Sequence, residues 1–176
     1  MTKGRILLKL ILDEIGLGKL ELDTFSKRLN LQKRIYLLQL TGIDLGYRYN
    51  WYLRGPYCPN LTQDAFTLKD ELAWDGDEYR EYELRHDVVK KLEKAEGIWN
   101  VPSGLSVDSE IWVELLASLH YLKHIAYWSG NNITREMIIE KLKKTKPQFS
   151  DKPELINKAW ERLNEVGLLD SACLTQ

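Results

Sequence analysis

Between Ile111 and Ala126 the apolar residues Ile111, Trp112, Leu115, Leu116, Leu119, Leu122 and Ala126 recur at helical spacing. That stripe is too dense for a helix lying on a surface, so the helix that carries it must be surrounded by others. Asp108 offers a side-chain cap for its start, and Ser129-Gly130-Asn131-Asn132 ends it, which predicts a central helix from 109 to about 128. The rest of the chain has to supply the cover.

It does so mainly with helices. Ile6, Leu7, Leu10, Ile11 and Ile15 predict one over 4–15, stopped by Gly16 and Gly18. From Asp23, a good cap, to Gly42 the pattern predicts a short helix over 24–29 and a longer one over 31–41, broken at Asn30. In the longer one Leu31, Ile35 and Leu38 face inward, and Gln32, Lys33 and Gln39 face outward. A further helix over about 61–73 buries Leu61, Ala65, Leu68 and Leu72, with Asn60 as its cap and Gln63 at capping-box spacing. After a turn at Asp75-Gly76 come a short strand near 79–84 and a helix over 85–96. Thr134 caps a helix over 135–144. Asp151-Lys152-Pro153 opens a last one over 153–166, closed by Gly167, with Leu168-Leu169 running on as a short strand or tail.

Tyr47 to Arg54 interrupts this run of helices with a period of two. Tyr47, Tyr49, Trp51 and Leu53 share an apolar face, and Arg48, Asn50, Tyr52 and Arg54 share a polar one, as in a half-buried strand. The following Gly55-Pro56-Tyr57-Cys58-Pro59 reads as a strand-to-helix corner. The predicted fold is therefore mostly α with a small β element (α+β). Its N-terminal half, residues 1–96, is winged-helix-like. A connector over 97–107, the best place for a hinge, leads to a C-terminal helical subdomain over 108–176 that shares one core with it. A chain of 176 residues buries ~70% of its unfolded surface, enough to stand without disulfides.

Charge and cysteines bound the function. Twenty-five basic residues against 26 acidic ones leave a net charge of -1, so no whole-molecule field draws nucleic acid or anionic lipid. Cys58 and Cys173 are unclustered, which makes neither a disulfide framework nor a zinc ribbon and suits a reducing compartment. The apolar N-terminus is broken by Asp13 and Glu14 and is too short to span a bilayer. The expectation is a cytoplasmic protein with no membrane partner.

No catalytic constellation stands out. His120 and His124, at i and i+4, have the spacing that holds zinc, but Tyr121 stands where a metalloprotease helix carries glutamate. They read as buried or hydrogen-bonded histidines. There is no nucleophile elbow and no Gly-rich phosphate loop, and the acidic residues of 75–83 read as a solvated face. The chain is read as a non-enzyme without metal or cofactor. Binding residues are better represented. Lys33, Arg34, Arg48 and Arg54, with Lys27, Arg28 and the lysines of 141–146, suit phosphate contacts. Arg48, Asn50, Tyr52, Arg54 and Tyr57 are also the residue types that dominate protein interfaces.

The run FSKRLNLQKRIYLLQLTGIDLGYRYNWYLRGPYCPNLT resembles the N-terminal part of a prokaryotic group that includes YwgA-like proteins and, more distantly, the SocA-like Panacea antitoxin domain. The matching positions are Leu31, Gln32, Lys33, Ile35, Tyr36, Leu37 and Leu38, then Trp51, Tyr52, Gly55, Pro56, Tyr57, Pro59 and Leu61. Cys58 stands where that group usually has serine. The resemblance extends to ELLASLHYLKH and KPQFSDKPELINKAWERLNEVGLL. It implies a mainly helical fold with a small sheet and a place among toxin–antitoxin or phage-defence functions, with a toxin or defence component as partner. The expected function is a regulatory, antitoxin-like protein-binding module; the alternative is a winged-helix-type nucleic-acid binder. Lys33, Arg34, Arg48, Asn50, Tyr52, Arg54 and Tyr57 are the expected binding residues for either.

Overall fold

The computed structural model describes residues 1–74, 76–126 and 132–170. Its elements are α1 (Lys3–Glu14), α2 (Phe25–Gln39), β1 (Asn50–Tyr52), β2 (Gly55–Tyr57), α3 (Pro59–Trp74), α4 (His86–Trp99), α5 (Ser109–His124), α6 (Arg135–Thr145) and α7 (Pro153–Glu165), with short 3-10 turns at Asp77–Glu81 and Pro147–Phe149. The chain is mostly α with a small antiparallel β element. The dense stripe does what its width requires: α5 packs against α2, α4, α6, α7 and β2. Trp112, Leu115, Leu116, Leu119 and Leu122 are sealed in one cluster with Leu8, Ile11 and Leu12 of α1, Ile35 and Leu38 of α2, and Ile156 and Leu163 of α7. Burying each such side chain contributes about 1.5–3 kcal/mol, so this cluster dominates stability. Ile111 is the exception; it lies on the solvent side of the first turn.

The helix ends follow from capping chemistry. Thr2, Thr24 and Thr134 each accept a hydrogen bond from the backbone N–H three residues on, and Asp108 accepts from Glu110 N at 2.9 Å. Thr24, not Asp23, caps α2. The break expected at Asn30 is absent: α2 is continuous, and Asn30 Oδ1 accepts from Arg34 Nε at 3.1 Å within it. Asn30 has moderate helix propensity, which tertiary packing overrides.

Other expectations need correction. The strand over 47–54 shrinks to Asn50–Tyr52, and the presumed corner is itself a strand, Gly55–Tyr57, paired Asn50↔Tyr57, Trp51↔Pro56 and Tyr52↔Gly55. Helix α3 begins at Pro59, a residue suited to a first helical position, so Asn60 is inside the helix and not its cap. Residues 79–84 hold part of a 3-10 turn and no strand. Helix α4 runs on to Trp99, burying Ile98 and Trp99, so the first residues of the supposed hinge belong to a helix. Leu168 and Leu169 are buried in a turn. Asp75, Ser129-Gly130-Asn131 and Cys173 lie outside the described residues. Among the described residues no helix is long and apolar enough to cross a membrane.

Candidate functional site

Helix α2 carries Gln32, Lys33, Tyr36 and Gln39 at i, i+1, i+4 and i+7, which places them along one side. That side holds the hairpin by its backbone. Gln39 Oε1 accepts from Leu45 N and Tyr47 N, and its Nε2 donates to Tyr47 O at 2.9 Å, fixing the chain as it enters. Gln32 Oε1 accepts from Cys58 N and its Nε2 donates to Cys58 O, fixing the chain as it leaves. Between them Lys33 Nζ donates to Pro56 O at 2.5 Å. A two-stranded hairpin is marginal alone, and these side chains supply the missing partners.

Lys33 and Gln32 therefore point inward, against expectation; Lys33 is 1% exposed. Its outward placement is corrected accordingly. A second lysine is buried with it. Lys146 is also 1% exposed, is ion-paired with Glu114, and stands 6.0 Å from the centre of the Trp51 ring. Gln148 Nε2 donates to Glu114 as well, at 3.2 Å. Gly55 fits over this group for two reasons: its φ is +85°, and a Cβ there would come 2.9 Å from Ser118 Oγ.

The electrostatics are uneven. Lys146 has a carboxylate, and Lys33 has none within ion-pair distance among the described residues. Burial first, and the Lys146 charge second, draw the Lys33 amine down to about 7, against the partial support of Glu114. Burial also lowers Lys146, while Glu114 opposes that. A cavity of about 220 Å³ between α2 and α5 is lined by Ser26, Asn30, Lys33, Asp108, Glu110 and Glu114 among others. It shares Asn30 and Glu110 with a wider groove of about 640 Å³ bordered by the turn after α1.

Above these buried groups the hairpin tip is open. Leu53 is 93% exposed and Tyr52 49% exposed, and Arg48, Asn50 and Arg54 are exposed beside them. The Tyr52 ring meets the Tyr57 ring edge-on at 5.2 Å, and the Tyr57 hydroxyl shares a hydrogen bond with Thr62 Oγ1 at 2.8 Å. Arg48 makes only a surface pair with Asp44 at 3.4 Å. Arg34 is elsewhere, half-buried with its guanidinium 5.3 Å from the Trp99 ring. The apolar/polar alternation of the sequence thus survives from Tyr47 to Tyr52. It fails at Leu53, which sits in the turn and not on the inner face.

A second polar group lies between the same two helices. Tyr36 OH and His120 Nδ1 share a hydrogen bond of 2.7 Å. Among the described residues His120 Nε2 and the Tyr49 hydroxyl are buried without a partner. Burial, helped by neighbouring His124, depresses His120 to about 3, so the ring is neutral at ordinary pH. His124 lies 4.7 Å away, ring to ring, and its Nε2 donates to Leu168 O at 2.8 Å. Both histidines are structural in their contacts.

Sequence reasoning missed Glu114, Ser118 and the exposed Leu53, and it read Lys146 as a solvent-facing phosphate contact where the structure buries it. One signal was available: the unbroken Ile35-Tyr36-Leu37-Leu38 run means that α2 is enclosed on several sides, which brings neighbouring polar residues inside too. No protein-family model matches the chain, and neither a curated protein nor a solved structure matches it.

Proposed function

We propose that the chain is a non-enzymatic cytoplasmic binding module that engages a protein partner through the tip of its hairpin. The observation that carries this is the contrast between a root tied by Gln32, Lys33 and Gln39 and a tip that presents Tyr52, Leu53 and Arg54 to solvent. An apolar side chain held out on a pre-organised turn loses little entropy on binding, and Tyr and Arg are the residues that most often anchor interfaces. The partner that fits is a protein with an apolar pocket bordered by a carboxylate, to receive Leu53 with Arg54 beside it in the turn. The likeness to the YwgA-like group and the Panacea domain supports an antitoxin-like or defence-associated regulator.

Nucleic acid is the less favoured ligand because the basic set is smaller than the sequence offered. Lys33 and Lys146 are enclosed, and Arg34 lies along Trp99. On the hairpin only Arg54 in the turn and Arg48 ahead of β1 remain exposed, too few for a phosphate-tracking surface, which commonly takes about 6–10 contacts.

Affinity capture from the native host tests the reading. The wild-type chain should retain a specific protein, and Leu53→Asp should release it, with about a 30-fold loss of affinity for an anchor worth ~2 kcal/mol. Retention of the same protein by Leu53→Asp and Arg54→Glu alike would remove the hairpin from the interface. A salt-sensitive gel shift lost in Arg54→Glu would transfer the function to nucleic acid.

A further inference from the structure

The environment of Lys33 is costly for a lysine. The buried space holds two lysines and one carboxylate within reach, and that carboxylate, Glu114, is taken by Lys146. Among the described residues Lys33 Nζ has a single hydrogen-bond partner, the neutral carbonyl of Pro56. An ammonium has three N–H groups to satisfy and a charge to balance, whereas a neutral amine can donate one N–H and keep its lone pair. Desolvation beside a second cation is one of the arrangements that activate lysine as a nucleophile. The same side chain lines the cavity of about 220 Å³ between α2 and α5.

We propose that Lys33 is a covalent capture site for small uncharged aldehydes that enter this cavity. The nitrogen lone pair forms a bond to the carbonyl carbon, and the C=O π pair moves to oxygen, which takes up a proton as the nitrogen gives one up. The resulting carbinolamine then loses its hydroxyl as water, with the second nitrogen proton, leaving an imine. Amine plus aldehyde gives imine plus water, so no oxidant or reductant is consumed.

The lining sets the class of aldehyde. Asp108, Glu110 and Glu114 line the same cavity as Lys33, and their carboxylates repel keto acids, glyoxylate and phosphorylated aldehydes. A carbamate formed from carbon dioxide would add another anion beside Glu114; a neutral imine adds none. The volume, at roughly 30 Å³ for each water displaced, suits an aldehyde of about three to five carbons.

The experiment uses the wild-type chain, propanal and sodium cyanoborohydride, which reduces the imine to a stable secondary amine, read by peptide mass spectrometry at early times. At pH 7 an amine with its midpoint near 7 is neutral on the order of a thousandfold more often than an ordinary lysine. Lower intrinsic nucleophilicity and narrow access reduce that advantage. Lys33 should still be alkylated at least about tenfold faster than exposed Lys69, Lys90 and Lys158, with labelling that levels off above pH 8. Glyoxylate should reverse the preference in favour of the exposed lysines. The proposal is overturned by a Lys33 that stays unlabelled until the chain is unfolded in urea, by labelling that rises through pH 9 like that of the surface lysines, or by equal labelling with glyoxylate. None of these readings depends on whether the hairpin binds a protein.

Discussion

Helices α2 and α5 enclose two polar groups that solve burial in different ways. Tyr36 and His120 make a neutral pair, and among the described residues two polar atoms beside it, His120 Nε2 and the Tyr49 hydroxyl, have no partner. Around Lys33, Glu114 and Lys146 the groups are ionisable and the carboxylate is outnumbered. The first group lies within the core. The second adjoins a cavity and supports the turn that bears Leu53. Neutral pairs make a core specific at small cost; charged groups short of a partner are tolerated where something else depends on them.

The comparison can be broken most forcefully at Glu114. Glu114→Gln leaves Lys146 buried without its carboxylate, and Lys33 without the partial support of that charge, and should destabilise the fold by about 3–5 kcal/mol in urea titration. If the loss stays under about 1 kcal/mol, the charged group is not an electrostatic unit. The second lever is pH. The unfolded Lys33 is protonated up to its usual range near 10.5, whereas the folded amine releases its proton near 7. Between those values the unfolded state holds the extra proton, so stability rises with pH, by ~1.4 kcal/mol per unit for one proton. Subtracting the Lys33→Met profile from the wild-type profile between pH 7 and pH 10 should isolate that slope, and a flat difference would mean that Lys33 is buried as a cation.

His120 gives the matching slope on the acid side. Its unfolded ring protonates near 6.5 and its folded ring near 3, so stability is complete above pH 6.5 and is lost as pH falls between the two. Wild type should lose ~2 kcal/mol more than His120→Phe between pH 6 and pH 4.5, measured by thermal unfolding at matched ionic strength. A smaller effect belongs to Gly55→Ala, which forces a side chain into φ +85° against Ser118 Oγ and should cost about 1–2 kcal/mol. The smallest is Leu53→Asp, whose exposed side chain should leave stability within about 0.5 kcal/mol. That last null sharpens the contrast between a structural root and an available tip.

Much of the helical frame was readable from periodicity and caps. The α5 stripe, the Thr134 cap and the Pro153 start all correspond to elements found. Local rules failed where distant groups supplied what the local ones lacked. Gly55-Pro56-Tyr57 resembles a corner because its pairing strand is only three residues long and because Pro56 has no N–H to advertise a ladder. Of the expected binding residues, Arg48, Asn50, Tyr52 and Arg54 are exposed together, and Tyr57 is half-buried beside them. Lys33 was assigned outward because lysine usually is. Its placement depends on Pro56, 23 residues away, and on Glu114 and Lys146 in the second half of the chain. No window of sequence contains that arrangement.

The amide of Gln32 has one more implication. By occupying both the N–H and the C=O of Cys58, while the Lys33 amine takes the oxygen of Pro56, α2 imitates a third strand using side chains alone. That border of the little sheet is closed to recruitment by a stray peptide or by another copy of the chain. Whatever docks above it must be recognised by what the turn displays and not by main-chain zippering along this border.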